Sequence, residues 1–379
     1  MFDHAPLDIL IKISEYLTSK DILSLSQSCK YSRQLVYHIR FTKRIVYSKI
    51  ALIPYFDSFT SVTFGTGDVP YYPKYLKKVY WITNRSLPDN LPQTVVKILF
   101  GHKYNRPISR LPDSLIELIF DDGYNQPLPL LPSSLSILTF GHSYNYPLPE
   151  LPDSLVCLKF GYNFSQSLPI LPQSLKHLVL GDCYDYPLPV LPISLTHLIF
   201  GKGYDQLLPE LPNGLTHLTL SYNYNYPLPQ LPDSLTHLIF GECYDKPLTR
   251  LPNSLTHLVF GQNFKQILPM LPETLTYLIF GRNYDHPLPH LPNSLTHLTF
   301  GICYDHILPN MPSSLLRLTF GYNYDQPLHV LPDSLINLIF GNRYQQPLPS
   351  LPASLSFLKI KRGVRLPTVL PEGLIVKRF

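Results

Sequence analysis

Apolar residues recur every twenty positions from Leu91 to Ser350, through thirteen copies without an insertion. A representative copy runs Leu291-Pro292-Asn293-Ser294-Leu295-Thr296-His297-Leu298-Thr299-Phe300-Gly301-Ile302-Cys303-Tyr304-Asp305-His306-Ile307-Leu308-Pro309-Asn310. Leu295, Leu298 and Phe300 belong to three apolar columns. Leu298 and Phe300 stand two apart, so both point to one side of a short strand, with His297 and Thr299 pointing to the other. A unit this small cannot bury its own apolar face. A fixed period of roughly 20–50 residues therefore predicts stacked units sharing one core. Stacked in register, the strands make a parallel sheet with one strand per repeat.

The rest of each unit is proline-rich, as in Pro287-Leu288-Pro289-His290-Leu291-Pro292. Proline has no N–H and a fixed φ, so this arc is neither a helix nor an inner strand. It is expected to be extended, near polyproline II, on the convex side. An extended return is thinner than a helical one, which accounts for the short period. The forty prolines would suggest disorder in another setting. Here apolar residues at every register argue for a packed core.

The residue three past each Phe is often Asn or Cys: Asn163, Cys183, Asn223, Cys243, Asn263, Asn283, Cys303 and Asn323. The phrase L-x-x-L-x-F-x-x-N/C resembles the leucine-rich repeat signature. The expected fold class is thus a mainly β, leucine-rich-repeat-like solenoid with a small helical head. The Asn or thiol is expected to sit inside the turn and hydrogen-bond backbone groups of the next coil.

Residues 1–48 differ. Prolines are absent between Pro6 and Pro54. Leu7, Leu10, Ile13 and Leu17 follow helical spacing; Thr18-Ser19-Lys20-Asp21 breaks it; Ile22, Leu25 and Cys29 resume it, and Leu35, Val36 and Ile39 continue a third stretch. With Pro6-Leu7-Asp8-Ile9-Leu10-Ile11-Lys12-Ile13, Tyr16-Leu17 and Lys20-Asp21-Ile22-Leu23-Ser24-Leu25-Ser26, the segment resembles an F-box. It has Ala5-Pro6 where the family begins Leu-Pro, and lacks the family's late Trp. The resemblance implies docking to the Skp adaptor of a Skp–cullin–F-box ubiquitin ligase through Pro6, Leu7, Leu10, Ile13, Ile22 and Leu25. The plainer alternative is a helical cap over the first coil.

Residues 49–90 hold degenerate units: Phe59-Thr60-Ser61-Val62-Thr63-Phe64-Gly65 and Leu76-Lys77-Lys78-Val79-Tyr80-Trp81 both mimic the strand core. Terminal repeats are atypical because one face lacks a partner. Across 91–350, Tyr124-Asn125-Gln126-Pro127, Tyr144-Asn145-Tyr146-Pro147 and Tyr324-Asp325-Gln326-Pro327, each after the strand core, resemble FNIP repeats. F-box plus FNIP arrays are typical of social amoebae and amoeba-infecting giant viruses, which implies a host–virus setting if the source is viral. The L-P-x-S-L phrasing is also similar to leucine-rich bacterial effectors, whose separate catalytic cysteine domain has no counterpart expected here. Residues 351–379 form a C-terminal cap in which Ile360 replaces Phe and charges such as Lys361 and Arg362 blunt the sheet edge.

Formal charge is only +5, with 15% charged residues. The basic residues gather near the ends, and the repeats lack the continuous basic stripe that nucleic-acid binding needs. Cys183, Cys243 and Cys303 share a column three repeats apart, roughly 14 Å at about 4.8 Å per strand. That is beyond disulfide reach. Reduced thiols, no signal peptide and no apolar run of about 20 residues imply a cytoplasmic protein, in the host cytoplasm if viral, with no membrane partner.

The outward column that includes His297 reads His177, His197, His217, His237, His257, Tyr277, His297. It is a candidate partner-binding stripe on the concave face, pH-sensitive because imidazole titrates near neutrality; repeat duplication alone would leave the same residues. Zinc would need convergent Cys or carboxylate ligands, which the column lacks. Ser134, Ser154, Ser174, Ser234 and Ser294 read as turn hydrogen-bonders, since no base is placed to activate them. The Tyr column reads as core. With no phosphate loop or paired carboxylates, the expectation is a non-catalytic protein without cofactor, monomeric within a hetero-complex. It serves either as a ligase substrate receptor or as an interaction scaffold with no ligase link.

Overall fold

The computed structural model describes residues 44–49, 51, 58–65 and 71–379. The helical head and its candidate contacts Pro6, Leu7, Leu10, Ile13, Ile22 and Leu25 lie outside the described residues. The chain divides into two compact units, residues 1–175 and 176–379. The described residues of each form a parallel β-solenoid.

The first unit contains β1 (Ile45–Val46), a 3-10 turn (Tyr47–Lys49), β2 (Ser61–Phe64), β3 (Lys78–Trp81), β4 (Lys97–Phe100), β5 (Glu117–Phe120), β6 (Ile137–Thr139) and β7 (Cys157–Lys159). The degenerate units found between 50 and 90 do form strands. They pair at shorter offsets, Ser61 with Lys78 and Lys78 with Lys97, before the twenty-residue register starts at Lys97 with Glu117. Arg44 lies over this start: its Nε donates to Thr63 Oγ1 at 2.9 Å and its guanidinium sits 4.1 Å from the Tyr80 ring.

The second unit contains β8 (His177–Val179), β9 (His197–Ile199), β10 (His217–Thr219), β11 (His237–Ile239), β12 (His257–Val259), β13 (Tyr277–Ile279), β14 (His297–Thr299), β15 (Arg317–Thr319), β16 (Asn337–Ile339), β17 (Phe357–Ile360) and β18 (Ile375–Arg378). From β8 to β17 every pairing is parallel, with partners twenty residues apart. The proline arcs between strands carry neither helix nor strand, as expected where φ is fixed and the N–H is missing.

The core is columnar. Leu295, Leu298, Phe300 and Tyr304 are all buried, as are their equivalents. Phe280, Phe300 and Phe320 stack at 5.5 and 5.6 Å, and each leans on the Tyr of its own coil, Phe300 on Tyr304 at 4.0 Å. Aromatic pairs of this kind contribute about 0.5–1.5 kcal/mol beyond area burial, which explains why a twenty-residue unit can hold together without a helix.

Three devices lock one coil to the next. The Ser column donates back to the preceding coil: Ser234 Oγ to the Leu215 carbonyl and Ser294 Oγ to the Leu275 carbonyl, both at 2.7 Å. A glycine after the strand lets the backbones close in. A Cβ on Gly281 would lie 1.9 Å from the Gly261 carbonyl oxygen, a distance no side chain tolerates. The third device departs from expectation. The Asn/Cys column bonds side chain to side chain, as Asn283 Nδ2 to Asn263 Oδ1 at 3.2 Å and, weakly, Cys303 Sγ to Asn283 Oδ1 at 4.0 Å. The carboxamide or carboxylate two residues later accepts the backbone instead. Asp285 Oδ1 takes the Asp305 N–H, Asp305 Oδ1 the Asp325 N–H and Asp325 Oδ1 the Gln345 N–H, at 3.2, 2.9 and 2.8 Å.

Candidate functional site

Parallel sheets are normally covered on both faces. In the second unit the Leu and Phe columns bury one face of the sheet, and the opposite face stays half-exposed. His177, His197, His217, His237, His257, Tyr277 and His297 are the first residues of β8 to β14. Parallel register sets them side by side on that face. The rings stack along the sheet: centroids lie 4.5 Å apart for His177–His197, 4.1 Å for His197–His217 and His217–His237, and 4.2 Å for His237–His257. Tyr277 continues the column at 5.5 Å from His257 and 4.8 Å from His297.

The preceding threonine fixes how each ring sits. Thr216 Oγ1 donates to the Thr196 carbonyl at 3.0 Å and lies 2.9 Å from His217 Nδ1. The same pair of contacts recurs at Thr196–His197, Thr236–His237, Thr256–His257 and Thr296–His297. The Thr196 carbonyl also accepts the Thr216 and His217 backbone N–H groups at 2.9 and 3.0 Å. Each hydroxyl is thus held between a carbonyl of the preceding coil and the ring beside it, and fixes where that ring sits.

Electrostatics agree with neutral rings. Burial, then the flanking imidazoles, push His217 down from the ordinary 6.5 to about 4. Burial with His177 lowers His197, burial with His257 and His197 lowers His237, and burial with Arg317 and His257 lowers His297. At neutral pH these four rings carry no formal charge. The other outward column beside it is Ile199, Thr219, Ile239, Val259, Ile279 and Thr299.

The sequence-level expectation brought these seven residues onto one face, where they lie. It missed the threonines, although Thr-His recurs in five of these units and was a readable signal. The Ser column is spent on coil-to-coil bonds. Among the described residues no group of three or more His, Cys, Asp or Glu is arranged to hold a metal, and no helix is long and apolar enough to cross a membrane. Cys157, Cys183, Cys243 and Cys303 are free thiols.

Columnar Leu and Phe, one short strand per coil and an Asx ladder define a leucine-rich-repeat-like solenoid. Solved structures agree. The chain is similar to CroV588, described as a novel circular LRR protein, at 34% identity and TM-score 0.72, over 85% of this chain and 56% of that one. It thus spans little more than half of CroV588. It is also similar to YopM from Yersinia enterocolitica WA-314 (23% identity, TM-score 0.54, 85% of this chain and 86% of that). YopM from Yersinia pestis, a leucine-rich effector protein, gives 24% identity and TM-score 0.56 over 82% and 85%. These two show the fold alone. The chain belongs to the FNIP repeat family, whose pattern it matches at residues 124–163, 162–203, 204–243, 244–269, 266–303, 304–342 and 324–362. Residues 2–48 match an F-box-like domain. No curated protein is a significant match. An F-box-like segment joined to a repeat solenoid fits a protein-interaction adaptor, a scaffold class that is typically non-catalytic.

Proposed function

We propose that this protein is a substrate receptor of a Skp–cullin–F-box type ubiquitin ligase. Its F-box-like segment docks the Skp adaptor through Pro6, Leu7, Leu10, Ile13, Ile22 and Leu25. The outward stripe His177, His197, His217, His237, His257, Tyr277 and His297 holds the target protein. It acts in the cytoplasm, as one copy in a hetero-complex, and does no chemistry itself.

The observation that carries this reading is the pairing of two features in one chain. One is the F-box-like match at residues 2–48. The other is an uncovered aromatic stripe on rigid strands. Interfaces are depleted in charge and enriched in aromatics at their centre. Affinity purification of the full chain tests both halves. The wild type recovers a Skp adaptor and a cullin; Pro6→Ala with Leu10→Ala loses them but keeps the target; His217→Ala with His237→Ala does the reverse. A wild-type chain that never recovers a Skp adaptor leaves only the scaffold role.

A further inference from the structure

The strands β8 to β18 contain no Asp or Glu, so the open face of the second unit holds no strand carboxylate. Past His297 its column continues as Arg317, Asn337, Phe357 and Ile375, each beside the next in parallel register. On the same face, two residues along, Lys359 of β17 lies directly opposite Lys377 of β18. Like charges set opposite each other across two strands destabilise a sheet. Arg317 and Lys377 are exposed, and Lys359 is half-buried. Among the described residues none of the three forms an ion pair. Lys359 Nζ stands 5.4 Å over the Phe379 ring instead.

Protection of a sheet edge accounts for a charge on the last strand. It does not account for Lys359 on β17 or Arg317 on β15, which have strands on both sides. Nor are these charges part of an even scatter. Residues 351–379 hold Lys359, Lys361, Arg362, Arg365, Lys377 and Arg378 against Glu372 alone, an excess equal to the formal +5 of the whole chain. The acids of these coils, Asp325, Asp333 and Glu372, lie outside the strands. The three cations on the face are spread from β15 to β18, about 14 Å at roughly 4.8 Å per strand. About four residues of an extended chain cross that distance. The strand N–H groups are committed to the ladder, which leaves no cluster of them to cradle a single phosphate. Spread charge beside the half-exposed Phe357 suits a run of carboxylates on a peptide.

We propose that the protein partner held on the stripe carries an acidic stretch. Its Asp or Glu carboxylates lie at the β15–β18 end of the face against Arg317, Lys359 and Lys377, and an apolar side chain next to them packs on Phe357. This rests on the reading of the stripe as the target-binding surface, and adds the charge of the target to it. Carboxylates set between Lys359 and Lys377 offset the repulsion that the free chain bears there.

The test is fluorescence anisotropy of labelled hexaglutamate against the full chain at neutral pH and low salt, with hexaglutamine as the uncharged control. Hexaglutamate binds, hexaglutamine does not, and added salt weakens the binding. Lys359→Gln with Lys377→Gln weakens it about fivefold or more. That variant melts no lower than the wild type, because a repulsive pair is gone. Arg362→Gln with Arg365→Gln takes the same charge from the turn after β17 and costs less than about twofold. The proposal is overturned if hexaglutamate does not bind or if the two double variants lose equally. It is also overturned if oligothymidylate, or vesicles of phosphatidylcholine and phosphatidylserine in equal parts, displace the label more readily than unlabelled hexaglutamate does. Target capture from cells separates the two readings. A His217→Ala, His237→Ala chain that still captures its target removes the stripe as target surface. Capture lost in that chain but kept by the lysine variant removes the acidic stretch alone.

Discussion

Thr216 Oγ1 sits 2.9 Å from His217 Nδ1 and 3.0 Å from the Thr196 carbonyl oxygen. One hydroxyl thereby joins two coils and holds a ring in place on the open face. The first prediction follows from that double role.

Thr216→Val with Thr236→Val keeps the shape and removes both bonds. Nitrogen-15 spectra of the histidines should show one tautomer at His217 and His237 in the wild type and a mixture of tautomers in the variant. Each lost hydroxyl costs about 0.5–1.5 kcal/mol of stability, read as a shift of the denaturation midpoint. Histidine spectra identical in wild type and variant would show that the threonines do not hold the rings.

Acid should weaken the fold through this column. The folded pKa of His217, about 4, lies below its ordinary 6.5. Between those values the unfolded chain binds more protons than the folded one, so stability is full above about pH 6.5 and falls as pH drops toward 4. His197, His237 and His297 shift the same way. Because these rings are partly exposed, solvent screening holds the loss at His217 to about 1–2 kcal/mol. His217→Phe should flatten melting temperature against pH across this window; an unchanged profile would show that other groups govern it.

Two substitutions at glycine should have opposite signs. Gly281→Ala drives a Cβ into the Gly261 carbonyl and should cost about 2 kcal/mol or more. Gly214 stands where other units have Ser, and a Cβ there meets nothing closer than the Ile193 oxygen at 3.2 Å. Gly214→Ser supplies a hydroxyl placed to donate to the Leu195 carbonyl, as Ser234 does to the Leu215 carbonyl, and should raise stability by about 1 kcal/mol. Thermal melts of the two variants check both.

The tyrosine column offers a matched pair. Tyr284 is fully buried with no hydrogen-bond partner for its hydroxyl among the described residues, whereas Tyr124 donates to the Pro127 carbonyl at 3.2 Å. Tyr284→Phe should be neutral or stabilising, as Phe164 and Phe264 in the same column suggest. Tyr124→Phe should cost about 1 kcal/mol. Equal effects in urea titrations would count against the distinction.

Most of the fold was legible because its main signals lie within one unit. Leu298 and Phe300 two residues apart specify the buried side of a strand, Pro289 and Pro292 rule out a helix in the return, and the twenty-residue period sets the register. The residues that act across units were harder to separate. Asn283 and Asp285 both follow a strand by a few positions and both are turn formers. Only the placement of the next coil decides that Asp285 meets a backbone N–H while Asn283 meets another side chain. The seven stripe residues could be placed on one face by alternation. The seating of the rings beside Thr216 and its equivalents depends on a carbonyl twenty residues earlier, which no local pattern reveals.

The Ser234–Leu215 bond recurs as Ser294–Leu275, and Asp285 grips Asp305 as Asp305 grips Asp325. Within the second unit, cut surfaces between coils that carry both bonds are therefore interchangeable. Excising or duplicating a whole unit by recombination rejoins matching ends, so evolution can lengthen or trim the histidine row in single steps without inventing a new junction.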